Sequence, residues 1–231
     1  MRPFTPARRR GVEYLDEPTV NPELRARSQR DLVRSNTLLG GWHAFARAAL
    51  DALPPAGHAT LLDIGTGLGD LPWRLARTAR ARGVRLTTFG CDIAPSLLTA
   101  PPRRLDAGVC ASALALPFRT GSVDLVTCSQ LLHHFQADDA RRLVGEMRRV
   151  ARRAVIVSDL RRSWMAMAGF WMASFPLGFH PVTRHDGTLS VLRGFTAVEL
   201  RDIVSQATGL PVVVRRRAMF RLTAVVRCPS A

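Results

Sequence analysis

The sequence predicts an α/β fold: a doubly wound, mostly parallel sheet that ends in an antiparallel strand pair, with helices ahead of it. Three observations predict it. From Ala59 onward short apolar runs alternate with amphipathic segments, the pattern of a parallel sheet with helices on both faces. Residues 212–217 and 219–227 are adjacent strand-like runs with almost no linker, which requires antiparallel pairing. The 231 residues are 47% hydrophobic, as expected of one folded domain, or one domain with an appendage, able to bury roughly 70% of its unfolded surface.

Residues 1–20, rich in Arg and Pro, read as an irregular basic arm. Asn21-Pro22-Glu23 starts a helix: Asn caps, Pro suits the first turn, and Glu favours the positive end. That helix runs to about Leu39 and stops at Gly40-Gly41. A second, Trp42 to Leu53, ends at Pro54-Pro55 and completes a helical cap over 21–55. The main domain, 56–231, has strands at 59–64, 84–91, 107–110, 123–128 and 153–158, and helices at 70–82, 95–101 and 138–150. Thr196-Ala-Val-Glu199 is a capping box that opens a helix to about Ala207. An apolar insert, 163–195, interrupts this order. Its first part, Ser163 to Thr183, holds no Asp, Glu or Arg and approaches the roughly 20 residues of a membrane span. Gly169, Pro176, Gly178 and Pro181 break it, so a buried cap is the better reading. Interfacial membrane contact, with Arg161, Arg162 and Arg184 as flanking cations, stays open.

The charge is unusual: 33 Lys+Arg against 18 Asp+Glu, a net +15, and every one of the 33 is arginine. With no lysine, the chain can form no side-chain Schiff base and offers no P-loop amine. Codon bias is the simplest reading of the missing lysine, so an all-arginine charge is weak support for nucleic-acid readout. The four cysteines (Cys91, Cys110, Cys128, Cys228) form no CxxC pair, which suits a reduced cytoplasmic protein, and the N-terminus lacks the apolar core of a signal peptide.

Leu61-Leu62-Asp63-Ile64-Gly65-Thr66-Gly67-Leu68-Gly69-Asp70 is the most informative segment. An apolar strand ends in a carboxylate, and glycines at alternate positions then let the backbone turn sharply and approach a ligand. A helix N-terminus follows with free N–H groups. Asp63 would repel a pyrophosphate and suits an ammonium. Asp92 ends the next strand, 23 residues beyond Gly69, where a carboxylate can accept both hydroxyls of a ribose. A third block, Ala113 to Phe118 and Ser122 to Val126, leads to Ser129-Gln130-Leu131-Leu132-His133-His134-Phe135.

Over residues 59–160 these ordered motifs resemble the class I S-adenosylmethionine-dependent methyltransferases, especially the ubiquinone/menaquinone C-methyltransferases. The resemblance implies a Rossmann-like fold over 56–231 and S-adenosyl-L-methionine as cofactor. It implies that Asp63 and the turn Gly65, Gly67, Leu68 and Gly69 hold the methionine part. Asp92 would bind the ribose and Ile93 would pack on adenine. Ser112 and Ala113 would read the adenine edge, with Ser129 near the sulfonium. Many relatives carry Asp at the position of Ser112, so weaker adenine recognition is expected. Asn36 to Gly40, Gly69 to Pro72, Ser158 to Arg162 and Arg184 to Leu192 further resemble a bacterial subgroup that accompanies polyketide or phenolic-lipid pathways.

Methyl transfer from a sulfonium needs alignment and exclusion of water, and a hydroxyl acceptor also gains from a base. Without lysine, histidine leads. His133 and His134 follow Ser129 at the expected acceptor mouth, and on a helical turn only one would point inward. His185, beside Asp186, is the other candidate and would need a partner elsewhere. No convincing oxygen-ligand set for a metal is visible, although Asp159 ends the last parallel strand. O-methylation of a small aromatic or polyketide-like phenol is the first reading, and C-methylation of a quinol-like ring stands close behind. A nucleic-acid methyltransferase is disfavoured, because Ser129-Gln130-Leu131-Leu132 replaces the Asn/Asp-Pro-Pro-aromatic motif of amino methyltransferases. A catalytically silent cofactor-binding partner is a third class. The oligomeric state stays open, a dimer included.

Overall fold

Leu61 and Leu62, Leu125 and Val126, and Val155 and Ile156 are all fully buried neighbours. Successive side chains of a strand face opposite sides, so these strands must be covered on both. The computed structural model describes residues 5–17, 19–99 and 104–229 and shows that cover. Seven strands, β1 (Gly57–Ile64), β2 (Val84–Asp92), β3 (Ala107–Cys110), β4 (Val123–Ser129), β5 (Ala151–Leu160), β6 (Val212–Arg217) and β7 (Arg221–Arg227), form one sheet in the order β3-β2-β1-β4-β5-β7-β6. The first five are parallel; β7 runs antiparallel to both β5 and β6.

Helices α1 (Pro22–Leu38) and α2 (Gly41–Leu50) precede the sheet; α3 (Asp70–Arg80), α4 (Pro95–Thr99) and α5 (Ala137–Val150) connect its strands; α6 (Trp164–Ser174), α7 (Pro181–Arg193) and α8 (Ala197–Thr208) follow β5. Phe45 of α2 and Leu71 and Leu75 of α3 pack with Leu61, Leu125 and Ile156 on one face. Leu143 and Met147 of α5 and Leu200 and Val204 of α8 pack with Leu62, Val126 and Val155 on the other.

Local signals explain the boundaries. Asn21 accepts from the Glu23 N–H at 2.8 Å, and the Thr196–Glu199 capping box closes with bonds of 3.2 and 2.7 Å. The second helix stops at Leu50 rather than Leu53, because Pro54 disfavours helical geometry in the residue before it. The last strand starts at Arg221 rather than 219, since Met219 and Phe220 take φ of 53° and 54° in the tight turn from β6. Of the helix predicted over 95–101, residues 100 and 101 lie outside the described residues.

Two segments carry more structure than their sequence reading specifies. The described part of the arm has one 3-10 turn, Tyr14–Asp16, and is pinned to the rest of the fold. Arg9 N–H donates to Leu192 O at 3.1 Å, Arg162 Nε donates to Pro6 O at 2.8 Å, and the buried Asp186 carboxylate accepts from the Tyr14 and Leu15 N–H groups at 3.0 and 2.9 Å. Arg8 grips the backbone oxygens of Arg193, His133 and Phe135 instead of facing solvent. In the apolar stretch Gly169 lies within α6. The break falls at Pro176 and Gly178, and Pro181 opens α7 behind His180, whose Nδ1 accepts from Val182 N–H. The inner side of this helix pair covers the cavity, as a cap should, but the outer side of α6 is exposed rather than buried. Among the described residues no helix is long and apolar enough to cross a membrane.

Candidate active site

Ile64 pairs with Cys91 on one side and Cys128 on the other, so β1, β2 and β4 end level with one another. The residues at and after those ends meet on one rim, where connections leave β1 in opposite directions and ligands of such sheets bind. A cavity of about 870 Å³ opens there, walled on its far side by the arm, α1, α6 and α7.

The glycine turn forms the near wall. Gly65, Gly67 and Gly69 have φ of 65°, 55° and 67°, the left-handed region that glycine enters at little cost. A Cβ on Gly65 would stand 2.8 Å from Leu131 Cδ1. Gly65 and Leu68 line the cavity and Gly67 lies between them; Gly69 instead packs against Leu105 and starts α3. Asp92 ends β2 with Oδ2 accepting from Gly67 N–H at 2.9 Å and Oδ1 from Ala94 N–H at 3.0 Å. Ile93 is 77% exposed at the rim, an apolar side chain beside the cavity. Ser112 and Ala113 line the wall, with Ser112 Oγ accepting from Leu114 N–H at 3.2 Å.

Asp63 lies beneath the turn, almost fully buried, its Oδ1 accepting from the Thr127 hydroxyl at 2.7 Å. Burial pushes this carboxyl up to about 7, against the pull of that hydrogen bond. Among the described residues Thr66 Oγ1, Asp70 Oδ2 and Ser129 Oγ are buried without a hydrogen-bond partner, and all three residues line the cavity. Orphaned polar atoms beside a turn stripped of side chains fit a polar cationic ligand, as S-adenosylmethionine is. Asp63 and the turn would hold its amino-acid part and Asp92 its ribose.

The far wall holds the titratable groups. His133 is buried; its Nδ1 lies 2.7 Å from Asp159 Oδ1, and its own N–H reaches Asp159 Oδ2 at 3.1 Å. Burial alone would raise the Asp159 carboxyl, but the neighbouring imidazole outweighs it and holds it below the usual range. A hydrogen bond from Nδ1–H to Asp159 puts the lone pair on Nε2 whenever the His133 ring is neutral. That nitrogen is buried without a hydrogen-bond partner.

His134 stacks on His133 with ring centroids 4.4 Å apart, and its Nδ1 lies 2.9 Å from Asp16 Oδ2. Burial lowers its pKa, but the Asp16 and Glu13 carboxylates overcome this and leave it raised. Both histidines line the cavity, against the expectation that only one would, because the arm folds over their turn and builds a second wall around His134. His185 stands apart: its side chain is 71% exposed, does not line the cavity, and pairs at 2.9 Å with its own neighbour Asp186. Of the four cysteines only Cys91 lines the cavity, and burial pushes its thiol up to about 11, so it is no ready base.

Sequence reasoning missed Glu13, Asp16, Arg193 and Arg221, and weighed Asp159 only as a metal ligand. Glu13 Oε1 lies 3.7 Å from His133 Nε2, and donor atoms of Glu13, His133 and His134 fall within 4.8 Å of one another. Arg193 already supplies a positive charge there, 3.3 Å from Glu13 Oε1 and 3.5 Å from Asp16 Oδ2, so a metal ion would have to displace it. The buried Arg221 reaches Gln130 Oε1 at 2.6 Å and Leu39 O at 3.3 Å. Burial lowers its pKa to about 10, which leaves a cation in the cavity wall. Glu13-x-x-Asp16 was the available signal, hidden in an arm without periodicity.

A left-handed glycine turn after β1, a carboxylate ending β2 and this strand order define a class I S-adenosylmethionine-dependent methyltransferase domain. Residues 62–157 match the methyltransferase domain family, and the chain carries such a domain. It is 35% identical over 106 residues to the ubiquinone/menaquinone biosynthesis C-methyltransferase UbiE of Paracoccus denitrificans, covering 42% of this chain and 41% of that one. It is 32% identical over 126 residues to a demethylmenaquinone methyltransferase of Thermus thermophilus, covering 52% and 54%. The chain thus spans about half the length of these relatives or less. The fold is that of a SAM-dependent methyltransferase from Aquifex aeolicus, with a TM-score of 0.60 at 14% identity, over 90% of this chain and 99% of that one.

Proposed function

We propose that the chain methylates a small hydroxylated aromatic acceptor on oxygen, with His133 as the base. The observation that carries this reading is the buried His133–Asp159 pair, whose remaining ring nitrogen makes no hydrogen bond, with the Glu13 carboxylate 3.7 Å away, in a cavity wall continuous with the glycine turn. When bound, S-adenosylmethionine supplies an electrophilic methyl group on a sulfonium that leaves as a neutral thioether. The protein's part is alignment, exclusion of water and removal of one proton. Asp159 fixes the imidazole in the tautomer whose Nε2 can accept a phenolic proton and stabilises the imidazolium that results. His134 and Asp16 hold the arm across the mouth. Phe170 and Phe179 offer apolar surface for a ring.

C-methylation of a quinol-like ring is the second reading, favoured by the names of the matched relatives. It needs the same hydroxyl deprotonated, so the two differ in product and not in base. A nucleic-acid acceptor is less well supported. Arg149, Arg152, Arg162 and Arg193 are committed to Glu146, Asp124, Glu199 and Glu13, and Arg8 to backbone oxygens.

Methyl transfer to panels of phenols, quinols and RNA tests the assignment, with product structure separating O- from C-methylation. His133→Asn is expected to lower kcat by about 10²–10⁴-fold, with cofactor affinity unchanged. His185→Ala is expected to leave kcat within about twofold, in line with substitutions away from reacting groups. Full activity in His133→Asn would sink the base assignment. Labelling of RNA alone would sink the acceptor class.

A further inference from the structure

Helix α6 is apolar on every side. Its inner positions pack under the cap, with Ala166 buried and Phe170 in the cavity wall. Its outer positions are Trp164, Met165, Ala168, Trp171, Met172 and Phe175, spaced on one face, and the five large side chains among them are 41–60% exposed. A helix without a polar face is one that something covers.

Charge shows what. Residues 163–183 contain no acidic side chain, and an arginine packs against the end of the patch. The Arg184 guanidinium lies 3.7 Å from the Phe175 ring, and Arg34 lies 5.8 Å from the Phe179 ring just beyond the helix. Arg34 continues a row of exposed arginines on α1, with Arg27 and Arg30 at helical spacing. A second copy of this chain would bring the same arginines against these, in a protein of net charge +15. An anionic lipid surface meets both needs: its headgroups answer the guanidiniums and its acyl boundary takes Trp, Met and Phe.

We propose that the outer face of α6 docks on an anionic bilayer, with Arg184 at its C-terminal end and the Arg27-Arg30-Arg34 row of α1 as the cations that meet the headgroups. The helix lies in the interface plane and does not span it. Docking stands independently of the methyl-transfer reading. It leaves one helix, about 10 Å thick, between the lipid and the cavity wall at Phe170.

The test is co-sedimentation of the full chain with vesicles of phosphatidylglycerol and phosphatidylcholine against pure phosphatidylcholine, with tryptophan emission as a second readout. Expected are binding at least tenfold tighter to the anionic vesicles, weakening as salt rises, and a blue shift of the emission. Met165→Glu with Met172→Glu should lose at least tenfold in binding while keeping the melting temperature and cofactor affinity; Met165→Ser with Met172→Ser serves if the acidic pair fails to fold. Arg27→Gln, Arg30→Gln and Arg34→Gln together should lower binding to anionic vesicles alone. Equal binding by the variants, or none by the parent, overturns the proposal. So does light scattering that shows a dimer which the Met165/Met172 variant dissociates.

Discussion

Asp63 is a carboxyl that burial holds near 7, and that value has two consequences of opposite sign. In the ligand-free protein the native state holds its proton across a range in which the unfolded chain has lost it. Stability from this group is therefore fully present below the ordinary carboxylate range and falls as pH rises toward 7. A cationic ligand reverses the preference, because it needs the anion. Calorimetry should show S-adenosylmethionine affinity falling up to tenfold per pH unit below 7, with about one proton released on binding. Asp63→Asn should flatten that profile, weaken binding, and raise the melting temperature of the free protein at pH 7.5. A second expectation concerns Gly65. Ala there meets both a positive φ and Leu131, so Gly65→Ala should cost about 1–3 kcal/mol in a urea titration and abolish cofactor binding. The glycines and the strand-ending Asp63 and Asp92 were legible because turn conformation is local. The His133–Asp159 pair was not, since β4–β5 pairing brings together residues 26 apart.

Among the elements, the arm and the α6–α7 cap diverge most from what periodicity foretells. Periodicity reports burial of apolar faces, and the arm is held by side chains gripping main chain instead. Asp186 accepts two N–H groups from it, and a hydrogen bond to a charged group contributes about 1.5–3 kcal/mol. Asp186→Ala should therefore open residues 5–17 to limited proteolysis and raise KM for the acceptor, with little change in cofactor affinity. The arm should also loosen with rising pH. His134 has its pKa raised by Asp16 and Glu13, so its contribution is complete below about 6.5 and fades as pH climbs through the higher native value. Exchange of the Tyr14 and Leu15 amides, corrected for intrinsic rates, should accelerate across that interval. A flat profile would remove His134 from the fastening.

For the whole molecule, seven strands in the order β3-β2-β1-β4-β5-β7-β6 follow from what the sequence displays: apolar runs with helical segments between them, then two runs too close for a crossover. Saturation with S-adenosylmethionine at 100 times its Kd should add about 2.7 kcal/mol and raise the melting temperature by roughly 5–10 °C. The arginines have a use that composition alone concealed. Arg162 spends three donors on Pro6 O, Gly194 O and Glu199, and Arg149 reaches Leu116 O and Phe118 O while pairing with Glu146. An ammonium cannot reproduce such a planar fork. The protein is accordingly blind to amine-directed labels and cross-linkers at every side chain. A lysine handle for immobilisation belongs at a solvated arginine such as Arg201; installed at Arg162 it would unfasten the arm it was meant to report on.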